Sequence, residues 1–136
     1  MRTFLFLSMM LAASIAGAQN KLTVVVDGIE KSEGTVLVAV FDSINYLKQP
    51  LYYGMVKIEE GEEEVTVAIE NVAPGKYAAT VFQDENGNNK MDTGAYGIPV
   101  EKFGFSNNAK VEMGPPSFQD CMFSVEEDTE INITLK

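Results

Sequence analysis

The segment Glu64-Val65-Thr66-Val67-Ala68-Ile69-Glu70 places a branched aliphatic side chain at every second position, with polar or small residues between them. Successive side chains of a β-strand point to opposite faces, so Val65, Val67 and Ile69 would share one face. The residues between them would lie on the other face, in contact with water. This alternation predicts a strand in a sheet that has one buried face and one hydrated face.

The same period of two recurs along the chain, whereas the helical period is rare. Glycine, proline and asparagine residues that favour turns separate the alternating segments at 28–34, 59–63 and 71–75. The predicted strands cover residues 22–27, 35–42, 53–58, 64–70, 75–83, 118–125 and 131–135. We therefore predict an all-β fold, a single antiparallel β-sandwich of about seven strands, Ig-like or transthyretin-like, with a long loop between the last strands.

The N-terminus has the features of a secretory signal peptide. Arg2 precedes an apolar run over residues 4–15, and Ala16-Gly17-Ala18 supplies the small residues of a cleavage site. The run is shorter than the roughly 20 residues that span a bilayer, so we expect cleavage and no membrane insertion afterwards. The predicted organisation is a signal peptide at residues 1–18 and one β-sandwich domain at 19–136, exported to the periplasm or the extracellular space.

The charge balance is strongly acidic. The chain has twenty Asp and Glu residues and ten Lys and Arg residues, which gives a formal net charge of −10. The predicted signal peptide holds one arginine and no acidic residue, so its removal makes the charge more negative still. Such a field repels phosphate backbones and anionic lipid, and nucleic acid is therefore not an expected partner.

The residue inventory also argues against an enzyme. The chain has no histidine and one cysteine, Cys121, which we expect to be a buried strand residue. Ser-His-Asp and Cys-His catalysis need a histidine, and zinc, copper and iron favour histidine or cysteine ligands. The remaining catalytic alternative is a carboxylate-based glycoside hydrolase that uses two of the residues Asp84, Asp92, Glu101 and Asp120.

The segment from Asp84 to Asp92 carries an oxygen-bearing side chain at every second position before Lys90. Asp84, Asn86, Asn88 and Asp92 match the first, third, fifth and ninth positions of a calcium loop, and the Lys90 carbonyl matches the seventh. Hard oxygen donors at this spacing converge on one ion as the backbone curls around it. We therefore predict a calcium site in this loop.

Two positions depart from the EF-hand pattern. Asn89 stands where glycine is usual, and Ala95 stands where a bidentate glutamate would close the shell. Glu85, Glu101 or water could supply the missing ligand. The alternative is an asparagine-rich turn without a metal, because Asn and Asp side chains bond their own backbone.

A second candidate site lies in the long stretch 93–117. Tyr96 and Phe103 could form an aromatic platform for a carbohydrate or for a peptide of an exported or surface protein, with Glu101 as a hydrogen-bonding group. The alternative, which we favour, is that Phe103 and Phe105 close one end of the sandwich as a plug. The same interpretation applies to a second aromatic group, Tyr46, Tyr52 and Tyr53.

Two family resemblances agree with this fold. The segment Asn71-Val72-Ala73-Pro74-Gly75-Lys76-Tyr77 resembles the turn-and-tyrosine signature of transthyretin-like and carboxypeptidase regulatory-like sandwiches, which act as accessory or binding modules. The tyrosine there can bury its ring and keep its hydroxyl bonded near the surface. Residues 81–92, 97–101 and 104–109 are similar to the domain-of-unknown-function 2141 family of exported bacterial proteins, although Asn89 replaces an expected glycine.

That second resemblance implies an exported β-sandwich and no particular reaction. We therefore expect an exported, non-catalytic binding or accessory module with a calcium-type Asp/Asn loop. The alternative is a purely structural domain whose Asp/Asn loop is a metal-free turn.

Overall fold

A computed structural model describes residues 19–29, 32–84 and 101–136 of the chain, and these residues form eight β-strands and almost no helix. The predicted all-β class is confirmed. The predicted signal peptide lies outside the described residues, among which no helix has the length and apolar character to cross a membrane. The strands are β1 (Asn20–Asp27), β2 (Thr35–Phe41), β3 (Tyr52–Lys57), β4 (Val65–Val72), β5 (Gly75–Asp84), β6 (Phe103–Phe105), β7 (Phe123–Val125) and β8 (Thr129–Thr134).

The strands form two sheets. One has the order β4-β1-β8, and the other has the order β3-β2-β5-β6, with β7 also paired to β5. The prediction of purely antiparallel pairing is wrong for β1 and β8, which run parallel from Leu22 opposite Thr129 to Asp27 opposite Thr134. Parallel neighbours need a long connection, and the whole chain between these two strands provides it.

The alternation of apolar and polar residues along the strands determines which side chains form the hydrophobic core. Val65, Val67 and Ile69 are buried while Thr66 and Ala68 are exposed, as predicted. The main apolar cluster draws on both sheets, because each contributes one row of alternate side chains. Its fully buried members are Leu22, Val24, Val26, Val36, Val40, Val72, Ala79, Val81, Val125 and Ile133.

A smaller cluster covers the opposite face of the second sheet. Ala78, which alternates with the core residue Ala79, packs with Phe105 and Cys121. Cys121 is buried as predicted, but it ends a four-residue helix, α1 (Phe118–Cys121), and does not lie in a strand. Only the second half of the predicted strand 118–125 is extended, as β7.

The predicted long loop also contains regular structure. Phe103–Phe105 forms β6, followed by a 3-10 turn at Ser106–Asn108. β6 and β7 pair with successive stretches of β5, at Thr80–Phe82 and Gly75–Tyr77. Between these stretches, the Ser106 hydroxyl accepts from the Ala79 N–H at 2.9 Å and donates to the Cys121 carbonyl at 2.5 Å. The Ser106 side chain thus supplies the hydrogen bonds that a paired strand would otherwise provide at this point of β5.

Candidate functional site

The first predicted calcium ligand, Asp84, is the last residue of β5 and is fully buried. Its backbone lies opposite Thr35 of β2, so the position is fixed within the second sheet. Carboxylates are seldom fully buried, since the charged form loses its hydration. Asp84 is therefore the strongest structural candidate for a functional side chain among the described residues.

Glu101 lies across from Asp84 on the returning chain. The antiparallel ladder between β5 and β6 extends one step further, where the Gln83 N–H donates to the Lys102 carbonyl at 2.9 Å. The same register places Glu101 opposite Asp84, and opposing residues point to the same face with Cβ atoms about 5 Å apart. Glu101 is only 8% exposed. Two buried acidic residues thus lie at the two ends of the acidic loop.

The opposite face of this ladder is tied to other parts of the chain. The Gln83 side-chain amide donates to the Glu33 carbonyl at 3.1 Å, and the Lys102 ammonium donates to the Gly28 carbonyl at 2.9 Å. These bonds join the segments that follow β1 and precede β2 to the base of the acidic loop. They restrict the backbone on which Asp84 and Glu101 are placed.

Neighbouring carboxylates repel each other, and a hard cation with oxygen ligands relieves this repulsion. The described residues hold no group of three or more acidic, histidine or cysteine side chains suited to a metal. The other predicted ligands, Asn86, Asn88, Lys90 and Asp92, lie outside the described residues. The structure therefore brings Glu101 beside the first member of the predicted set.

Of the two rings in the predicted aromatic platform, only that of Phe103 lies within the described residues. Phe103 is half-buried on β6 and meets Phe105 edge to face, with ring centroids 6.1 Å apart. Both rings line a groove of about 410 Å³, which Lys110 and Glu112 also border. Tyr96 lies outside the described residues. Phe105 is buried, as the plug alternative predicts, but it packs on the outer face of the second sheet and does not close the end of the sandwich.

The tyrosine group divides into two kinds of environment. Tyr46 donates to the Pro116 carbonyl at 2.7 Å, and burial raises the pKa of its hydroxyl. The Tyr52 hydroxyl accepts from the Ala73 N–H at 3.1 Å. Tyr53, in contrast, is 70% exposed, so the plug interpretation is wrong for this residue.

An apolar exposed surface on β3 was not predicted from the sequence. Tyr53 and Met55 of β3 and Leu51 just before it are all exposed and alternate along the chain, so they lie on the same side. The signal for it is present in the sequence. Residues 51–56 are apolar, aromatic or glycine at every position, without the polar alternation of β4. Such a run indicates a strand with two apolar faces.

Comparisons with known proteins identify one family. The model of a family described as "Uncharacterized protein conserved in bacteria (DUF2141)" matches residues 24–133. The match reaches from β1 to β8 and includes both ends of the acidic loop. No curated protein and no solved structure matches the chain.

Proposed function

Because the chain belongs to the DUF2141 family of bacterial proteins, we propose that it is an exported, non-catalytic β-sandwich module that binds Ca²⁺ in its acidic loop. The single observation that carries the calcium proposal is the placement of Asp84 and Glu101. These two carboxyl groups are buried and lie opposite each other where the loop leaves β5 and returns to β6. The spacing of Asn86, Asn88 and Asp92 supplies further oxygen donors.

The charge of the site favours a divalent cation. Burial removes water from a carboxylate, so a cation that contacts both groups would offset part of the lost hydration. Ca²⁺ accepts six to eight oxygen ligands in flexible geometry, which suits a mixed set of carboxylates, amides and a carbonyl. Glu101 would supply the carboxylate that the EF-hand pattern lacks at Ala95.

The role of the ion would be structural. With few carboxylates in the set, we expect a dissociation constant on the order of 10⁻⁴ to 10⁻³ M, the range of extracellular calcium modules. At ten times that concentration, linkage adds about 1.4 kcal/mol to the free energy of unfolding. The one cysteine of the chain excludes an internal disulfide, so such a contribution would matter to an exported domain.

The sandwich and export components rest on separate observations. One apolar cluster takes side chains from both sheets, which is the arrangement of two sheets packed face to face. Arg2, the apolar run and the small residues at 16–18 support export.

Calorimetric titration and thermal unfolding with Ca²⁺, Mg²⁺ and chelator test the metal. We expect Ca²⁺ to raise Tm of the parent protein. The isosteric variants Asp84→Asn and Glu101→Gln should lose most of this rise. Asp120→Asn is the matched control, since Asp120 is exposed on α1 and should keep the parent response. Equal melting in calcium and chelator would show that the loop is a metal-free turn and would leave a structural domain.

The groove beside β6 is a second candidate site. Phe103 and Phe105 provide apolar surface there, and Lys110 and Glu112 provide polar groups at its border. We propose that it holds a carbohydrate or a segment of an exported or surface protein. A glycan array and a pull-down with the parent and Phe103→Ala proteins test this, and binding that is unchanged in the variant would contradict it.

A further inference from the structure

Five of the seven large apolar side chains that are exposed among the described residues lie between residues 44 and 55. Three of them, Leu51, Tyr53 and Met55, form what we call the β3 stripe, and they are 46%, 70% and 52% exposed. Ile44 and Leu47 lie in the turn that leads to β3. Scattered apolar residues are normal on a protein surface, but a continuous group marks an interaction site.

The strand that carries this stripe lies at the end of its sheet. β3 is the terminal strand of the order β3-β2-β5-β6, so one edge of its backbone faces away from β2. Its pairing with β2 is regular over six residues, from Thr35 opposite Lys57 to Val40 opposite Tyr52. An exposed, regular and apolar edge is a template for pairing with another strand.

The two terminal strands of the first sheet, β4 and β8, are protected from such pairing. β4 has a bulge where Asn20 and Leu22 pair with Val72 and Ile69. β8 is blocked near its end, where the Asn108 side chain accepts from the Thr134 N–H at 2.9 Å. In β3, a charge occurs only at the last residue, Lys57, and proline is absent. The contrast indicates that, among the described strands, β3 has the edge best suited to pairing.

β6 is protected in another way. Its Phe103 exchanges backbone hydrogen bonds with Lys136, at 3.4 Å and 3.0 Å. The chain that follows β8 thus covers this edge of the second sheet. Within the part of the chain that the structure describes, the other edge of that sheet, at β3, has no paired strand.

We infer that β3 pairs with β3 of a second copy of this chain. The two strands would run antiparallel about a two-fold axis, so that the second sheet of one copy continues into the second sheet of the other. Charge complementarity favours this occupant. Lys48 lies shortly before β3, and Glu59 and Glu60 follow it, all three exposed. Antiparallel pairing brings the beginning of one strand beside the end of the other. Each Lys48 would therefore lie near Glu59 and Glu60 of the second copy, and symmetry forms this contact twice.

The backbone of the preceding turn agrees with a surface role. Leu47 has a φ of 58°, in the left-handed region that leucine rarely adopts, and its side chain is 43% exposed. The turn thus holds an apolar side chain on the surface at a backbone cost, as is frequent at interaction sites. The dimer does not depend on calcium and can be tested separately from it.

Sedimentation velocity over a concentration series of the purified protein tests the dimer. We expect a concentration-dependent monomer–dimer equilibrium. Met55→Lys would place two charges in the interface and should raise the dimer dissociation constant by about a hundredfold or more. Met113→Lys is the matched control, because Met113 is fully exposed on the segment that follows the 3-10 turn. A parent protein that is monomeric throughout, or a dimer that Met55→Lys leaves unchanged, would overturn the inference.

A charge exchange tests the antiparallel arrangement. Lys48→Glu alone, or Glu59→Lys with Glu60→Lys, should raise the dissociation constant by about tenfold, because each creates like charges at two symmetric contacts. Combining the three substitutions should restore dimerisation. A combined variant no stronger than the single-sided ones would overturn the proposed pairing. Unchanged thermal unfolding of each variant at low protein concentration provides the control for folding.

Discussion

The hydroxyl of Tyr46 lies 3.6 Å from the sulfur of Cys121, although the two residues are 75 positions apart in the chain. The same hydroxyl donates to the Pro116 carbonyl at 2.7 Å. Burial raises the pKa of the Cys121 thiol as well as that of Tyr46, so both groups stay protonated near neutral pH. The contact connects the turn after β2 with α1 over the outer face of the second sheet.

We expect Tyr46→Phe to lower the free energy of unfolding by about 1–2 kcal/mol, because the Pro116 carbonyl loses its donor while the ring contacts remain. Those contacts are with Phe41 and Phe118, at centroid distances of 6.0 Å and 5.8 Å. Urea unfolding measures the change. Ser124→Ala removes an exposed hydroxyl and should have no effect, and equal losses in the two variants would contradict the role of the bond.

Ser106→Ala should be more destabilising, by about 2–4 kcal/mol. The variant removes the acceptor of the Ala79 N–H and the donor to the Cys121 carbonyl, and Ser106 is fully buried. Buried backbone groups without partners carry the full cost of desolvation. Denaturant unfolding of Ser106→Ala and of the exposed control Ser124→Ala makes the comparison. If Ser106→Ala lost no more stability than the control, water would be shown to replace the hydroxyl.

Alkaline pH should destabilise the protein through Tyr77. Burial, with a smaller contribution from the neighbouring Tyr52 hydroxyl, raises the pKa of Tyr77 from 10.0 to about 12. Below pH 10 the Tyr77 hydroxyl is protonated in both the folded and the unfolded state, and its full contribution to the free energy of unfolding is present. Between pH 10 and 12 the unfolded state loses the proton first, so stability falls as pH rises, by about 2 kcal/mol.

Unfolding by urea at several pH values across this window measures the slope. Tyr77→Phe should reduce the slope. Part of the slope should remain in Tyr77→Phe, because the pKa of Tyr46 is also raised by burial. Identical slopes in the parent and Tyr77→Phe proteins would exclude this source of pH dependence.

Alternation predicted the long strands because each carries enough branched aliphatic residues to define a period of two. It did not predict the parallel direction of β8, since side chains alternate identically in both directions. β6 and α1 have three and four residues, too few for a period to emerge. Tyr53 is exposed because β3 lies at a sheet edge, and strand order is not encoded in the alternation of one strand.

The sequence suggested both Asp84 and Glu101 as ligands, but local spacing predicts the position of Asp84 only. Asp84 follows from the spacing of oxygen-bearing residues in the loop. The place of Glu101 depends on the register between β5 and the returning chain, which the bond from the Gln83 N–H to the Lys102 carbonyl defines. A register across residues 85–100 depends on tertiary packing and on the alternate burial of β6, so local sequence spacing does not determine it.

Asn71 provides a test of the turn whose sequence resembles transthyretin-like proteins. Its φ is 60°, and it lies at the bulge between β4 and β1. Asparagine tolerates this conformation, glycine adopts it freely, and alanine resists it. Asn71→Ala should therefore cost about 1 kcal/mol of stability, and Asn71→Gly should cost little. Two residues further on, the Ala73 carbonyl accepts from the Tyr77 hydroxyl at 2.5 Å, which confirms the predicted bonding of that tyrosine.

The two Asn71 variants separate backbone conformation from side-chain contacts. Both remove the amide, so a loss that is the same in each would assign the effect to the side chain and contradict the conformational explanation. A loss confined to Asn71→Ala would show that the left-handed backbone at the bulge positions the chain for the turn. Because Ala73 lies only two residues further on, Asn71→Ala should also disturb the Tyr77 bond and reduce the alkaline slope of stability, a second readout that Asn71→Gly should leave unchanged.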